Sequence, residues 1–201
     1  MAALKAAEPI PLTDTTIIPG ERVGPITKDM TLDELKARIG GREKFNDQDG
    51  RGDIFLKPAI PFVGTTVFKG TDRELIVVAE QDSGKILQTV LVGSAWTPPF
   101  DLKKGMTVDE VEKANGKPFK VFSFDWGSGG EADLYKGKLD GKVMIRFSIP
   151  GAPSEALGRR RWLPSDGALR GTEVKVSEIG VILSQPKTPD ARDEKDEIRL
   201  D

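Results

Sequence analysis

Three clusters in this chain carry residue types that could do chemistry, and each sits beside glycine or proline. Asp47, Asp49 and Asp53 are spaced i, i+2 and i+6 around Gly50 and Gly52. Three carboxylates on such a loop could ring a calcium ion, which takes six to eight oxygens. The loop is not an EF-hand, because Arg51 stands at the third-ligand place and no glutamate follows at position 12. Its plain structural reading is a polar turn after Phe45. Asp125 and Trp126 end an expected strand ahead of a Gly127–Gly130 loop, where they could offer an aromatic anchor and a hydrogen-bond acceptor. Otherwise Trp126 packs in the core and the glycines make a turn or bulge. Arg159, Arg160, Arg161 and Trp162, between Gly158 and Pro164, form the one compact basic cluster. In a loop they could engage a carboxylate-rich partner or anionic headgroups, and otherwise they are solvated and paired with nearby acids. A strand would send alternate arginines to opposite faces, so only a loop presents all three together.

What the chain lacks narrows the chemistry further. It has no histidine and no cysteine. Ser-His-Asp triads, Cys-His dyads, disulfides and the usual zinc sites are therefore all excluded. An enzyme would have to work with Asp, Glu, Lys, Ser or Tyr, so the expectation is a protein that does not catalyse and needs no cofactor. The last fifteen residues, Lys187–Asp201, hold four basic and six acidic side chains of the totals of 30 and 32, leaving 26 against 26 elsewhere. A balanced body lacks the basic excess that nucleic-acid binding needs. No stretch approaches the roughly 18 apolar residues of a membrane helix. Met1–Pro9 lacks the apolar core of a signal peptide and reads either as an Ala/Pro-rich leader left after one, or a lipoprotein cysteine, is removed, or as an ordinary cytoplasmic N-terminus, two readings that composition does not separate.

The elements that position these clusters are announced by a repeated phrase. Ile26–Leu35 contains Met-Thr-Leu-Asp-Glu-Leu, and 76 residues later Leu102–Val111 contains Met-Thr-Val-Asp-Glu-Val. Thr31 and Thr107 stand at N-cap positions with Glu34 and Glu110 three residues on, the spacing of a capping box. Met30 with Leu35, and Met106 with Val111, provide hydrophobic staples, while Gly40 and Gly116 stop each helix. After the first helix, Glu74–Ala79 and Ile86–Val92 read as a hairpin with a polar turn. After the second come Phe119–Trp126, Ala132–Lys136, Lys142–Ile149 and a closing segment Glu173–Leu183. The tight-turn pair Asp140-Gly141 predicts a hairpin between Ala132–Lys136 and Lys142–Ile149. The expected organisation is an extended leader over 1–21, an α+β repeat over 22–95, a second over 96–185, and a charged tail over 186–201. Trp96-Thr97-Pro98-Pro99 is the stiff hinge between the repeats.

On these residues the chain resembles two groupings. The Met-Thr-x-Asp-Glu phrase, with its glycine and meander, resembles tandem modules of the β-lactamase inhibitor protein fold and the single module of SmpA/OmlA-like outer-membrane lipoproteins. Trp96–Phe119, then Phe124-Asp125-Trp126, Gly129-Gly130 and Ser165-Asp166, resemble a family of uncharacterised bacterial extracytoplasmic proteins. The resemblance covers about residues 22–183 and brings no catalytic residue. It implies a periplasmic or envelope setting and, for the inhibitor-like fold, protein binding on an exposed concave sheet. The inhibitor's cysteines are missing, so β-lactamase inhibition does not carry over. The reading is therefore a non-catalytic α+β binding module of the envelope, whose partner is another envelope protein or component. The rival is a histidine-free enzyme or small-ligand binder using Asp125, Glu131 and Asp166.

Overall fold

A computed structural model describes residues 10–40, 46–48, 62–122, 124, 130–149, 161–162 and 173–185, with 46–48 and 161–162 described by backbone alone. Two short helices and several antiparallel sheets make it an α+β fold. Helix α1 spans Leu32–Ile39 and α2 spans Val108–Asn115. Both begin in complete capping boxes. The Thr31 amide donates to Glu34 Oε2 at 2.8 Å while the Glu34 amide donates to Thr31 Oγ1 at 3.3 Å. Thr107 and Glu110 repeat both bonds at the same lengths. These bonds to the threonines hold both glutamates below the ordinary carboxylate range. Replacing either threonine with alanine is expected to cost about 1 kcal/mol, measured by urea unfolding.

The strands are β1 Ile17–Ile18, β2 Arg22–Val23, β3 Ile26–Thr27, β4 Asn46–Gln48, β5 Phe62–Val67, β6 Leu75–Glu80 and β7 Ile86–Leu91. After α2 follow β8 Lys120–Phe122, β9 Ala132–Asp133, β10 Val143–Ser148, β11 Arg161–Trp162 and β12 Lys175–Ile182. The main sheet runs β10-β12-β7-β6-β5-β4, beside two three-stranded sheets, β1-β2-β3 and β11-β8-β9. One face of the main sheet packs on the helices. Leu75, Val77 and Ala79 alternate along β6, as do Val143, Ile145 and Phe147 along β10, and they share one core with Leu35 of α1 and Val111 of α2.

The centre of the sheet is laid out evenly. Thr31 bridges Lys85 just before β7, and Thr107 bridges Lys175 at the start of β12. The Met30 carbonyl accepts from the Ile86 amide at 3.3 Å, and the Met106 carbonyl from the Val176 amide at 2.8 Å. Each ladder then bulges in the same place. Leu87 is left over between the pairs Ala79↔Ile86 and Val78↔Gln88, and Ser177 between Phe147↔Val176 and Arg146↔Glu178. Strands β7 and β12 meet antiparallel at Val90↔Gly180, each partner five residues past its bridged lysine.

Several expectations change. Residues 10–21 are not an extended leader: Ile17–Ile18 pairs with β2, and the Gly20 amide donates to the Ile182 carbonyl at 3.0 Å. Polar contacts, near and far in the chain, hold the segment down. Asp14 accepts from the Thr16 amide and pairs with Arg22 at 3.2 Å, while Arg38 and Arg73 donate to the carbonyls of Ile10 and Leu12. Trp96 is buried against Gly24, and the sheet is continuous across the Trp96–Pro99 hinge because β12 pairs with β7. The hairpin around Asp140-Gly141 does not form. Strand β9 pairs with β8 and β10 with β12, joined only by an isolated Glu131↔Arg146 bridge. Strand β5, unforeseen, lies between β4 and β6. Among the described residues no helix is long and apolar enough to cross a membrane.

Candidate binding site

The face of the sheet away from the helices is built by the other half of each alternation. Ile76 and Val78 of β6, Gln88 and Val90 of β7, Met144 and Arg146 of β10, and Gly180 and Ile182 of β12 fall on it by register. Ile76 is exposed, whereas Val78, Val90 and Met144 are buried.

The sheet splits on this side. In the β5–β6 ladder, pairing runs unbroken from Phe62↔Glu80 to Val67↔Leu75. Between β9 and β10, pairing stops at Glu131↔Arg146. Beyond that bridge, Ala132–Tyr135 diverges from Val143–Met144, and a cavity of about 270 Å³ lies between them. Its polar wall includes Glu131, Asp133, Asp140, Tyr135, Gln88 and Gln185, and its apolar wall includes Phe122, Met144 and Ile182. None of the described lining residues is a lysine or arginine.

Two of these side chains are unusual. Glu131 is 8% exposed, and Arg146 reaches it at 3.7 Å while standing closer, at 3.0 Å, to Glu178. Burial pushes the Glu131 carboxyl up to about 7; Arg146 pulls it back down and the like charge of Glu178 adds to the rise. Gln88 is 4% exposed and lines the cavity.

The sequence-based sites fare unevenly. Arg161 and Trp162 form strand β11, paired with Phe122 and Val121, rather than a loop. Asp47 belongs to strand β4 opposite Thr65, not to a polar turn. Asp49, Asp53, Asp125, Trp126, Arg159 and Arg160 lie outside the described residues, as does Asp166. Of the three rival carboxylates only Glu131 is placed, and it stands in the cavity. Among the described residues no group of three carboxylates, histidines or cysteines is arranged to hold a metal ion. Gln88, which lines the cavity, carries a readable signal as the lone amide inside Ile86-Leu-Gln-Thr-Val-Leu91. No family model, curated protein or solved structure matches the chain.

Proposed function

We propose that this chain is a non-catalytic binding protein of the bacterial envelope, made of two fused α+β units, that engages its partner on the sheet face away from the helices. The cavity beside Glu131 carries this reading, because it opens beside that face and sets the Gln88 amide among the carboxylates of Glu131, Asp133 and Asp140. The duplication is supported by the matched capping boxes, threonine–lysine bridges and bulges of α1-β7 and α2-β12. A tandem arrangement of the inhibitor-like kind is consistent with them. The envelope setting rests on the sequence resemblance around Trp96–Gly137.

A specific observation also favours a small-ligand or catalytic reading. A buried carboxyl titrating near neutrality is the kind of group that general acid–base catalysis uses. Binding remains the better account, because Glu131 belongs to an ion-pair network in which Arg146 lies 3.7 Å from it and 3.0 Å from Glu178, and such structural networks also shift a carboxyl. The test is retention of an envelope species on immobilised protein. Ile76→Asp should lower retention at least tenfold by placing a charge on the face, while Lys104→Ala on the exposed approach to α2 should not. Equal retention by both variants, or recovery of the native protein from cytosol alone, would overturn the proposal.

A further inference from the structure

We propose that the seam between β9 and β10 is a two-state gate, which closes into the register that β5 and β6 hold, joins the two sheets and erases the cavity. The inference goes beyond the binding reading and rests on it only for the correspondence of the two units. The bulges set that correspondence. Ala79 and Phe147 stand beside them, so Val78 matches Arg146, Val77 matches Ile145 and Leu75 matches Val143. Across the ladder Gly64 matches Glu131, because Gly64 pairs with Val78 and Glu131 bridges Arg146. The next pairs of the first unit are Thr65↔Val77, Thr66↔Ile76 and Val67↔Leu75. Their counterparts are Ala132↔Ile145, Asp133↔Met144 and Leu134↔Val143, and none of these forms; β9 gives its ladder to β8 instead. The cavity is lined by five of those six residues, all but Ile145.

Backbone groups are already aimed across the gap. The Phe147 amide donates to the Gly130 carbonyl at 2.8 Å, and the Ile182 amide donates to the Lys142 carbonyl at 2.9 Å. Alternation along β10 therefore turns the backbone of Val143 and Ile145 toward β9. Ile145 is fully buried, and no ladder pair meets it on that side. Buried backbone amides are nearly always paired, so closure gains bonds that the open seam forgoes. The opposing pull is equally specific. Asn115 accepts from the Lys138 amide on its carbonyl at 2.8 Å and from the Leu139 amide on Oδ1 at 3.3 Å, drawing the turns after Leu134 toward α2. Its counterpart in α1 is Ile39, whose side chain accepts no hydrogen bond, and there the β5–β6 ladder is complete. Gly130 is the hinge, held to Phe147 at a φ of 78° that glycine adopts without strain.

The experiment is ¹⁵N relaxation dispersion on the full chain, which reads exchange on the microsecond-to-millisecond scale. Exchange is expected at the Leu134 and Ile145 amides, with a minor state populated to about 0.1–10%, while Val67 and Val77 stay flat. The chain has no cysteine, so a disulfide in Asp133→Cys/Met144→Cys can lock the seam. In the closed register these two form a non-hydrogen-bonded pair with Cα atoms about 4.5 Å apart, within disulfide reach. Oxidation should abolish the exchange at Ile145, and reduction should restore it. The inference is overturned by flat profiles at both amides in the wild type, or by exchange that persists in the oxidised variant. Cross-linking more than about tenfold slower than in Thr66→Cys/Ile76→Cys also overturns it. Where the double variant does not fold, the wild-type profiles decide alone. If the seam proves static while Ile76→Asp still abolishes retention of an envelope species, the gate falls and the binding reading stands.

Discussion

Replacing Asn115 with alanine is expected to destabilise the protein by about 3 kcal/mol in urea unfolding, among the largest effects of any single polar substitution described for it. Asn115 is the last residue of α2 and is fully buried. Its side chain is spent on turns rather than on the helix. Oδ1 accepts from the Leu139 amide at 3.3 Å, Nδ2 donates to the Lys117 carbonyl at 3.0 Å, and its backbone carbonyl accepts from the Lys138 amide at 2.8 Å. Alanine would leave a buried amide and a carbonyl without partners and open a void beside fully buried Leu139. Each unpaired group costs about 1–3 kcal/mol. Gly137 lies against the same amide, so that a methyl there would overlap Asn115 Oδ1 and Nδ2. Gly137→Ala should therefore cost a similar amount by evicting an intact asparagine. A loss below about 1 kcal/mol in either would show that the turns are held from elsewhere.

What the sequence discloses and what it hides divide along the range of the interactions. The helix starts are legible because a capping box is decided within four residues, and Thr31–Glu34 and Thr107–Glu110 behave as their letters predict. The β6–β7 hairpin is legible for the same reason, with its Glu80–Lys85 turn closed by an amide-to-carbonyl bond of 2.9 Å. Strand β5 is not, since Gly64, Thr65 and Thr66 blur its alternation and only pairing with β4 and β6 makes it a strand. The Asp140-Gly141 signal is overridden because the Asp140 carboxylate accepts from the Lys136 amide and the segment folds into successive turns over Asn115. The pairing of β7 with β12 joins positions such as Val90 and Gly180, far apart in the chain, and no local signal reports it. The cavity is hidden for that reason. It exists because β9 and β10 part company after one bridge, a property of two registers rather than of any motif.

Glu131→Gln is expected to stabilise the protein at pH 8 by on the order of 2 kcal/mol and to leave it unchanged near pH 4. The folded carboxyl titrates at about 7 against an ordinary value of 4.5, mainly because it is buried. Between those limits the folded protein holds a proton that the unfolded chain has released. Stability from this group is thus complete below about 4.5 and is lost as pH rises through about 7. Glutamine mimics the protonated acid at every pH, so the variant should escape the loss. The capping glutamates act in the opposite direction. Glu34 and Glu110 are held below 4.5 by their threonines, so their contribution is present above that value and fades as pH falls through their lower folded values. Asp14, lowered first by its hydrogen bond with Thr16, joins them on the acid side. The wild-type protein should therefore be most stable in mildly acidic solution, limited by its caps below and by Glu131 above. Urea unfolding across pH 4–8 separates the two limbs: Thr31→Ala and Thr107→Ala flatten the acid limb, and Glu131→Gln flattens the neutral one. An equal gain from Glu131→Gln at pH 5 and pH 8 would place the cost in packing rather than in ionisation.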